Sequence, residues 1–147
     1  MKPTIRQSVV VVLSLIALAA GSLALAQTLR TPSAAGAKVY FIQPKDGQSV
    51  KGQVHVVMGL VGMGIAPAGI ESPVTGHHHV LIDVDKLNTN APVPEDDKHR
   101  HFGRGQTETM LDLPAGKHTL QLVLGDWKHI PHNPPVMSPK ITITVAK

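Results

Sequence analysis

The sequence predicts an all-β domain, an antiparallel β-sandwich of six to eight short strands. Three observations lead to this prediction. Short stretches of alternating apolar and polar residues recur after residue 38, turns containing Pro or Gly separate them, and no stretch of ten or more residues beyond the first 26 combines helical periodicity with good caps. The pattern is typical of immunoglobulin-like or cupredoxin-like sandwiches.

The first 26 residues have the three parts of a secretory signal peptide. Lys2 and Arg6 precede an uncharged apolar run over 8–20, and Ala24-Leu25-Ala26 places small residues where a signal peptidase cleaves. We therefore expect an N-terminal signal helix that is removed after Ala26, and a periplasmic protein that keeps no membrane segment. An uncleaved membrane anchor is the alternative, because residues 8–26 are nearly long enough to span a bilayer.

The remaining chain has the length of one domain. Residues 27–37 are small and polar and predict a flexible lead-in, and residues 38–147 predict a single β-sandwich domain. The chain has 14 Lys and Arg against 10 Asp and Glu, and two of these basic residues leave with the signal peptide, so the net charge falls from +4 to +2. Such a small excess does not predict a nucleic-acid partner. The lack of cysteine excludes thiol nucleophiles, thiolate zinc sites and blue-copper centres.

Each expected strand has its own signature in chain order. Strands are predicted at 39–42, 50–61, 77–84 and 107–113, the first of them ended by a Pro-Lys-Asp-Gly turn. A Pro-Ala-Gly turn at 114–116 predicts a hairpin, behind which Leu120, Leu122 and Leu124 share an inward face. Ile141, Ile143 and Val145 alternate with threonines in the last strand.

Two connections, 62–76 and 86–106, are long for so small a domain. Both contain Gly and Pro, and the second also carries Glu95-Asp96-Asp97. Loops of this length are commonly functional, and sandwiches carry their sites on loops at the ends of the sheets. We expect these two loops to cluster at one end of the sandwich.

Histidine is the residue type that points to chemistry. All nine histidines follow the predicted signal peptide, and seven of them form three groups, His77-His78-His79, His99 with His101, and His129 with His132. Alternate residues of a strand point to the same side, so His77 and His79 can act as a pair while His78 faces the other way. Imidazole is the commonest ligand for zinc and copper. The spacing predicts a copper or zinc site formed by His77, His79, His101, His129 and His132.

Two carboxylates are expected to support this site. Asp83 lies on the face of His77 and His79 by parity, and Asp126 precedes His129. The other histidines have simpler explanations. His118 falls on the same face of its strand as the inward-facing leucines, so we expect it to be hydrogen-bonded at the edge of the core. His55 is expected to be an ordinary strand residue.

No catalytic motif accompanies the histidines. The sequence contains neither H-E-x-x-H nor G-x-S-x-G. We therefore expect a metal-binding module that is not an enzyme. The alternative is a metal-free module of the cell envelope that uses the same loop surface to bind a protein or a small ligand.

Several consecutive motifs are similar to those of a known family. They are YFIQPKDG at 40–47, GHHHVLID at 76–83, HFGRGQTE at 101–108, LPAGKHTL at 113–120 and HIPH at 129–132. Over nearly all of residues 38–146 the chain resembles the bacterial exported proteins of domain-of-unknown-function family 4399. The resemblance implies a single-domain periplasmic protein and brings no activity with it.

Overall fold

A computed structural model describes residues 30–147, so the predicted signal peptide at 1–26 lies outside the described residues. Within the compact unit Thr31–Lys147 all regular structure is β, which confirms the predicted fold class. The described part of the chain contains no helix with the length and apolarity needed to cross a membrane.

The described residues form nine strands. They are β1 (Lys38–Gln43), β2 (Ser49–Lys51), β3 (Val54–Val61), β4 (Gly64–Ile65), β5 (Thr75–Ile82), β6 (His99–His101), β7 (Glu108–Leu111), β8 (Gly116–Gly125) and β9 (Ile141–Ala146). This is more than the six to eight expected, for two reasons. Gly52 has a φ of +79°, outside the β region, and separates β2 from β3. The short strands β4 and β6 form inside the segments 62–76 and 86–106, which the sequence predicts to be long loops.

The strands form two sheets in a sandwich-like arrangement. One sheet has three strands in the order β1-β3-β7, and the other has the order β2-β9-β8-β5-β4 with β6 also pairing with β5. Most pairs are antiparallel, as predicted, but β2 pairs with β9 and β4 with β5 in parallel. A tight hairpin turn can join only antiparallel neighbours, and no such turn joins β2 to β9 or β4 to β5.

The main core is built from the alternating residues of the long strands. Val54, Val56 and Met58 of β3 are at most 3% exposed, and Leu120, Leu122 and Leu124 of β8 are fully buried, as their alternation predicts. Burying an aliphatic side chain of this size contributes about 1.5–3 kcal/mol. These contacts hold the domain together in a chain that has no disulfide.

Strand β5 is buried on both faces. Val80 and Ile82 pack into the main core, whereas Leu81 packs on the opposite side with Val93 and Val123. We call this opposite side the outer face of the larger sheet. Alternation stops at Ile82 because Asp83 has a φ of +54°, so Val84 joins Leu81 on the outer face instead of Val80 and Ile82 as the sequence predicts.

Residues 31–33 are hydrogen-bonded to the segment that follows β8, although the sequence predicts a flexible lead-in there. The Thr31 hydroxyl donates to Asp126 Oδ2 at 2.7 Å, and the backbone N–H of Asn133 donates to Thr31 O at 2.9 Å. The N–H of Ser33 in turn donates to Asn133 O at 3.1 Å. These partners lie about a hundred positions away in the chain, so local composition cannot indicate them.

Candidate metal centre

Strand β5 positions the first two histidines of the candidate site. His77 and His79 are two positions apart in the strand, so both side chains project from the outer face of the larger sheet. Their ring centroids lie 4.8 Å apart. They are 0% and 1% exposed. His78, between them, has the parity of the core residues Val80 and Ile82, as expected.

Strand β6 adds the third histidine. It runs antiparallel to β5 and places His101 directly opposite His79. Residues opposite each other in a sheet project to the same face, so the two rings meet, with centroids 5.1 Å apart and an interplanar angle of 24°. The ring of His77 lies 5.0 Å from that of His101. The long connection 86–106 therefore supplies a ligand candidate through a strand that the sequence does not reveal.

The turn after β8 brings the fourth histidine. His129 has a φ of +68°, and its N–H donates to Asp126 O at 2.8 Å. The Asp126 carboxylate, 2% exposed, accepts hydrogen bonds from the N–H groups of Lys128 (2.9 Å) and Ile130 (3.0 Å). This network fixes the turn and places the His129 ring 4.7 Å from His101 and 5.0 Å from His77. Asp126 thus supports a site residue, as its position before His129 suggests.

Asp83 does not support the site, contrary to the prediction from parity. Its carboxylate lies 2.7 Å from Nδ1 of His118 and accepts a hydrogen bond from Thr119 N at 2.8 Å. The cause is the positive φ of Asp83, which ends the alternation of β5 and turns the side chain toward β8.

These four residues form one group, which we call the four-histidine cluster: His77, His79, His101 and His129. Their ring centroids lie 4.7–6.1 Å apart. Nitrogens of His77, His101 and His129 all lie within 4.8 Å of one another, and the Nε2 atoms of His77 and His79 are 3.0 Å apart. Two nitrogens bound to one zinc ion at about 2.0–2.1 Å are at most about 4.2 Å apart. Ring shifts of about half an ångström would bring the nitrogens of His77, His101 and His129 within this limit, whereas His79 lies farther from His129, with centroids 6.1 Å apart.

The cluster contains buried nitrogens that no other group satisfies. Nδ1 of His77, Nδ1 of His79 and Nε2 of His101 have no hydrogen-bond partner within the described range 30–147. Leaving a buried polar atom unsatisfied costs about 1–3 kcal/mol, so such atoms are uncommon in folded proteins.

The rings of β5 are held neutral. Burial, with the nearby His101 and His129, lowers the pKa of His77 to about 4. Burial, with the neighbouring histidines, lowers the pKa of His79 to about 2. A neutral imidazole keeps one nitrogen lone pair, which is the form that binds a metal ion.

Two glycines make room for the rings, and the sequence analysis does not identify them. A Cβ at Gly103 would lie 2.4 Å from Cε1 and Nε2 of His101, and a Cβ at Gly125 would lie 2.8 Å from Nε2 of His79. Both distances are too short for any side chain at the glycine. No local motif marks these positions, because each glycine is needed only for a ring that crosses it in the folded chain.

Glu95 is a further site residue that the sequence analysis does not single out. Its Oε1 lies 3.6 Å from Nδ1 of His101, on the ring edge opposite the unsatisfied Nε2. The same connection is tied to the cluster by Val93, whose N–H donates to His129 O at 2.8 Å. The acidic run in a long loop is the signal that could have indicated Glu95.

The remaining histidines lie elsewhere. His132 is fully buried, and its ring nitrogens face the carbonyl oxygens of Leu124 (3.3 Å) and Thr75 (3.1 Å), one of which accepts the ring N–H, so the structure does not bring it to the cluster. His118 is bonded to Asp83 and to Pro114 O at the core edge, as predicted. His55 is exposed on β3, 3.5 Å from Glu108.

Fold and site together define a β-sandwich protein with a histidine cluster on the outer face of its larger sheet. The chain belongs to the family described as Domain of unknown function (DUF4399), whose model matches residues 56–146, a range that contains all four cluster histidines. No curated protein matches the chain.

One solved structure that is similar to the chain is the X-ray structure of the endo-beta-1,4-mannanase from Thermotoga petrophila. The sequence identity is 22% and the TM-score 0.43, over 76% of this chain and 20% of the mannanase chain. The protein thus spans about a fifth of the length of that enzyme, and a similarity of this degree carries no argument about activity.

Proposed function

We propose that this protein is an exported binding module that holds one transition metal ion, copper or zinc, in the four-histidine cluster and does not catalyse a reaction. The observation that carries the proposal is the convergence of four imidazole rings, three of which (His77, His79 and His101) have a buried nitrogen without a hydrogen-bond partner among the described residues. A metal ion bound to these nitrogens would replace the missing hydrogen bonds and offset the cost of burying them.

The donor set favours copper and zinc over other cations. Imidazole nitrogen suits zinc, copper and nickel, whereas magnesium, calcium and manganese prefer carboxylate and carbonyl oxygens. The Glu95 carboxylate contacts the cluster at Nδ1 of His101 rather than at the unsatisfied Nε2, and the Asp126 carboxylate accepts backbone N–H groups of its own turn. Among divalent ions, copper(II) is expected to bind such a site more tightly than zinc(II).

The number of ligands favours holding an ion over reacting with a substrate. Catalytic zinc sites have three protein ligands and an open position, whereas closed sites have four. Nitrogens of His77, His101 and His129 already lie within 4.8 Å of one another, and a turn of the neighbouring His79 ring would supply the fourth ligand that closes the shell. His132 lies apart from them, with its ring nitrogens against the carbonyl oxygens of Leu124 and Thr75. The predicted signal peptide would carry the domain to the cell envelope, where its role would be metal storage or delivery.

Calorimetric titration of the purified protein with copper(II) and with zinc(II) tests the proposal. We expect one ion per chain with submicromolar affinity in the wild type, and loss of this binding in the double variant His77→Ala/His79→Ala. His55→Ala is the matched control, since it removes one exposed histidine on the other sheet and should leave binding intact. Weak binding at several sites, or binding unchanged in the double variant, would exclude the cluster and favour a metal-free module.

A further inference from the structure

The four-histidine cluster is sealed on most sides. His77 and His79 are at most 1% exposed at the sheet, and β8 covers one edge of β5. Backbone hydrogen bonds join the surrounding loops, from Gly69 N to Trp127 O at 3.0 Å and from Val93 N to His129 O at 2.8 Å. An ion that reaches the cluster must therefore pass a less enclosed side chain.

His101 and His129 are the partly exposed members of the cluster, and the side chain of His101 is 17% exposed. It borders an open cavity of about 190 Å³. The cavity is lined by Glu95, Asp96, His99, Arg100 and His101. One edge of the His101 ring therefore faces this opening, while its Nε2 is buried and unsatisfied.

The two carboxylates in the opening differ in what they can do. Oδ1 of Asp96 already accepts hydrogen bonds from the N–H groups of Lys98 and His99 and contacts the His99 ring at 2.8 Å. Glu95 is 77% exposed, and the interaction seen for its carboxylate is with Nδ1 of His101 at 3.6 Å. Both carboxylates are negative, and Glu95 is the one whose charge lies beside the His101 ring.

Arg100 is the positive charge in the same opening. It lies between His99 and His101 in β6, so its side chain leaves the opposite side of the strand by alternation. Arg100 also lines a separate cavity with Asp97 and Asp112. Its positive charge repels an approaching cation, but the side chain points partly away from the face of the sheet that carries the four-histidine cluster.

We propose that the opening between Glu95 and His101 is the entrance through which the metal ion reaches the four-histidine cluster, with Glu95 as the residue beside His101 that attracts the ion. The proposal rests on the proposed function. The Glu95 carboxylate lies 3.6 Å from Nδ1 of His101, so its charge acts directly beside the cluster. A negative charge at the mouth also raises the local concentration of a divalent cation and speeds its association.

Stopped-flow mixing of the metal-free protein with copper(II) at low ionic strength tests the entrance. Trp127 lies two residues before His129, so its fluorescence should report binding, and an absorbance indicator of free copper(II) provides a second readout. We expect Glu95→Gln to slow association roughly five- to ten-fold, and the effect to shrink as salt screens the charge. Glu108→Gln is the matched control, because Glu108 is 69% exposed and lies on the other sheet.

Arg100→Gln distinguishes an effect of charge on the association rate from an effect of damage to the loop. Removing this positive charge should leave association unchanged or faster if the opening acts through its charge. The entrance would be overturned if Glu95→Gln and Arg100→Gln slowed association equally. It would also be overturned if Glu95→Gln bound copper(II) at the same rate as Glu108→Gln. Either result would leave the metal site in place. Absence of any copper(II) binding by the wild type would instead overturn the proposed function, and the entrance with it.

Discussion

Nε2 of His79 lies 3.0 Å from Nε2 of His77, while Nδ1 of each ring is buried without a hydrogen-bond partner in the described part of the chain. A proton between the two Nε2 atoms can belong to only one of the rings. The pair therefore leaves donors and acceptors unmatched inside the protein.

Metal binding should stabilise the fold. An ion at a hundred times its Kd adds about 2.7 kcal/mol to the free energy of unfolding. For a domain of this size, that raises Tm by roughly 10 °C. Differential scanning calorimetry with zinc(II), followed by addition of a chelator, should show the rise and its reversal. His129→Gln should abolish the rise, and His118→Gln should retain it, because His118 is bonded to Asp83 away from the cluster. An equal rise in both variants would contradict the assignment of His129.

The metal-free protein should lose stability in acid. Burial lowers the pKa of His78 to about 4, and burial together with neighbouring histidines lowers those of His77 to about 4 and His79 to about 2. Below about pH 6.5 the unfolded chain takes up protons that the folded chain excludes. Stability is therefore lost as pH falls from about 6.5 toward 4, by about 1.4 kcal/mol per histidine per pH unit. Urea unfolding at several pH values in this window measures the slope.

His78→Leu isolates one of these three contributions. Both ring nitrogens of His78 are buried without a partner among residues 30–147, and its neighbours in parity are core residues. Leucine fills similar space and takes up no proton, so the pH slope should fall by about a third. The variant should also be more stable than the wild type at about pH 5.5. An unchanged slope would show that His78 is not held neutral by the fold.

Gly103→Ala should damage the cluster without unfolding the domain. The new Cβ would lie 2.4 Å from Nε2 of His101 and must displace the ring, and the φ of Gly103 is not positive, so the backbone itself accepts alanine. We expect metal affinity to fall about 10- to 100-fold, as for other changes that misorient a ligand. Gly64→Ala is the control, since its Cβ would meet Thr75 Cγ2 at an ordinary 3.4 Å. Equal affinities in a calorimetric titration of the two variants would contradict a role for His101.

The Asp83–His118 pair should stabilise the domain within a limited pH window. Burial raises the pKa of Asp83, but the hydrogen bonds from His118 and Thr119 outweigh it and lower the pKa overall. Burial likewise lowers the pKa of His118, and the bonds to Asp83 and Pro114 outweigh it and raise the pKa. The Asp83 contribution is lost as pH falls below about 4, and the His118 contribution is lost as pH rises above about 6.5.

Asp83→Asn measures this window. The Asp83 side chain is 40% exposed, so solvent screening keeps the effect small. The difference in unfolding free energy between wild type and variant should be largest at about pH 5.5 and smaller at about pH 8.5. Urea unfolding at the two pH values measures it, and a difference independent of pH would show that the pair is not charged in the folded state.

The sequence by itself determined the fold class and named all four histidines of the cluster, together with His132, but it settled the relative placement of only one half of the cluster. Alternation places Leu120, Leu122 and Leu124 in the core and puts His77 and His79 on one face, because side-chain direction in a strand depends only on position along the chain. Alternation fails at Asp83, where one residue with positive φ reverses the pattern beyond it.

Tertiary structure decided the other half. The register of β6 against β5 sets His101 opposite His79, and the Asp126 turn brings His129 to the cluster. His132, three positions later, faces the carbonyl oxygens of Leu124 and Thr75 instead. The contacts of Gly103 and Glu95 with the His101 ring also appear only in the folded chain. Strand register and loop closure depend on packing between residues far apart in sequence, so no local pattern of residue types can specify which histidines meet.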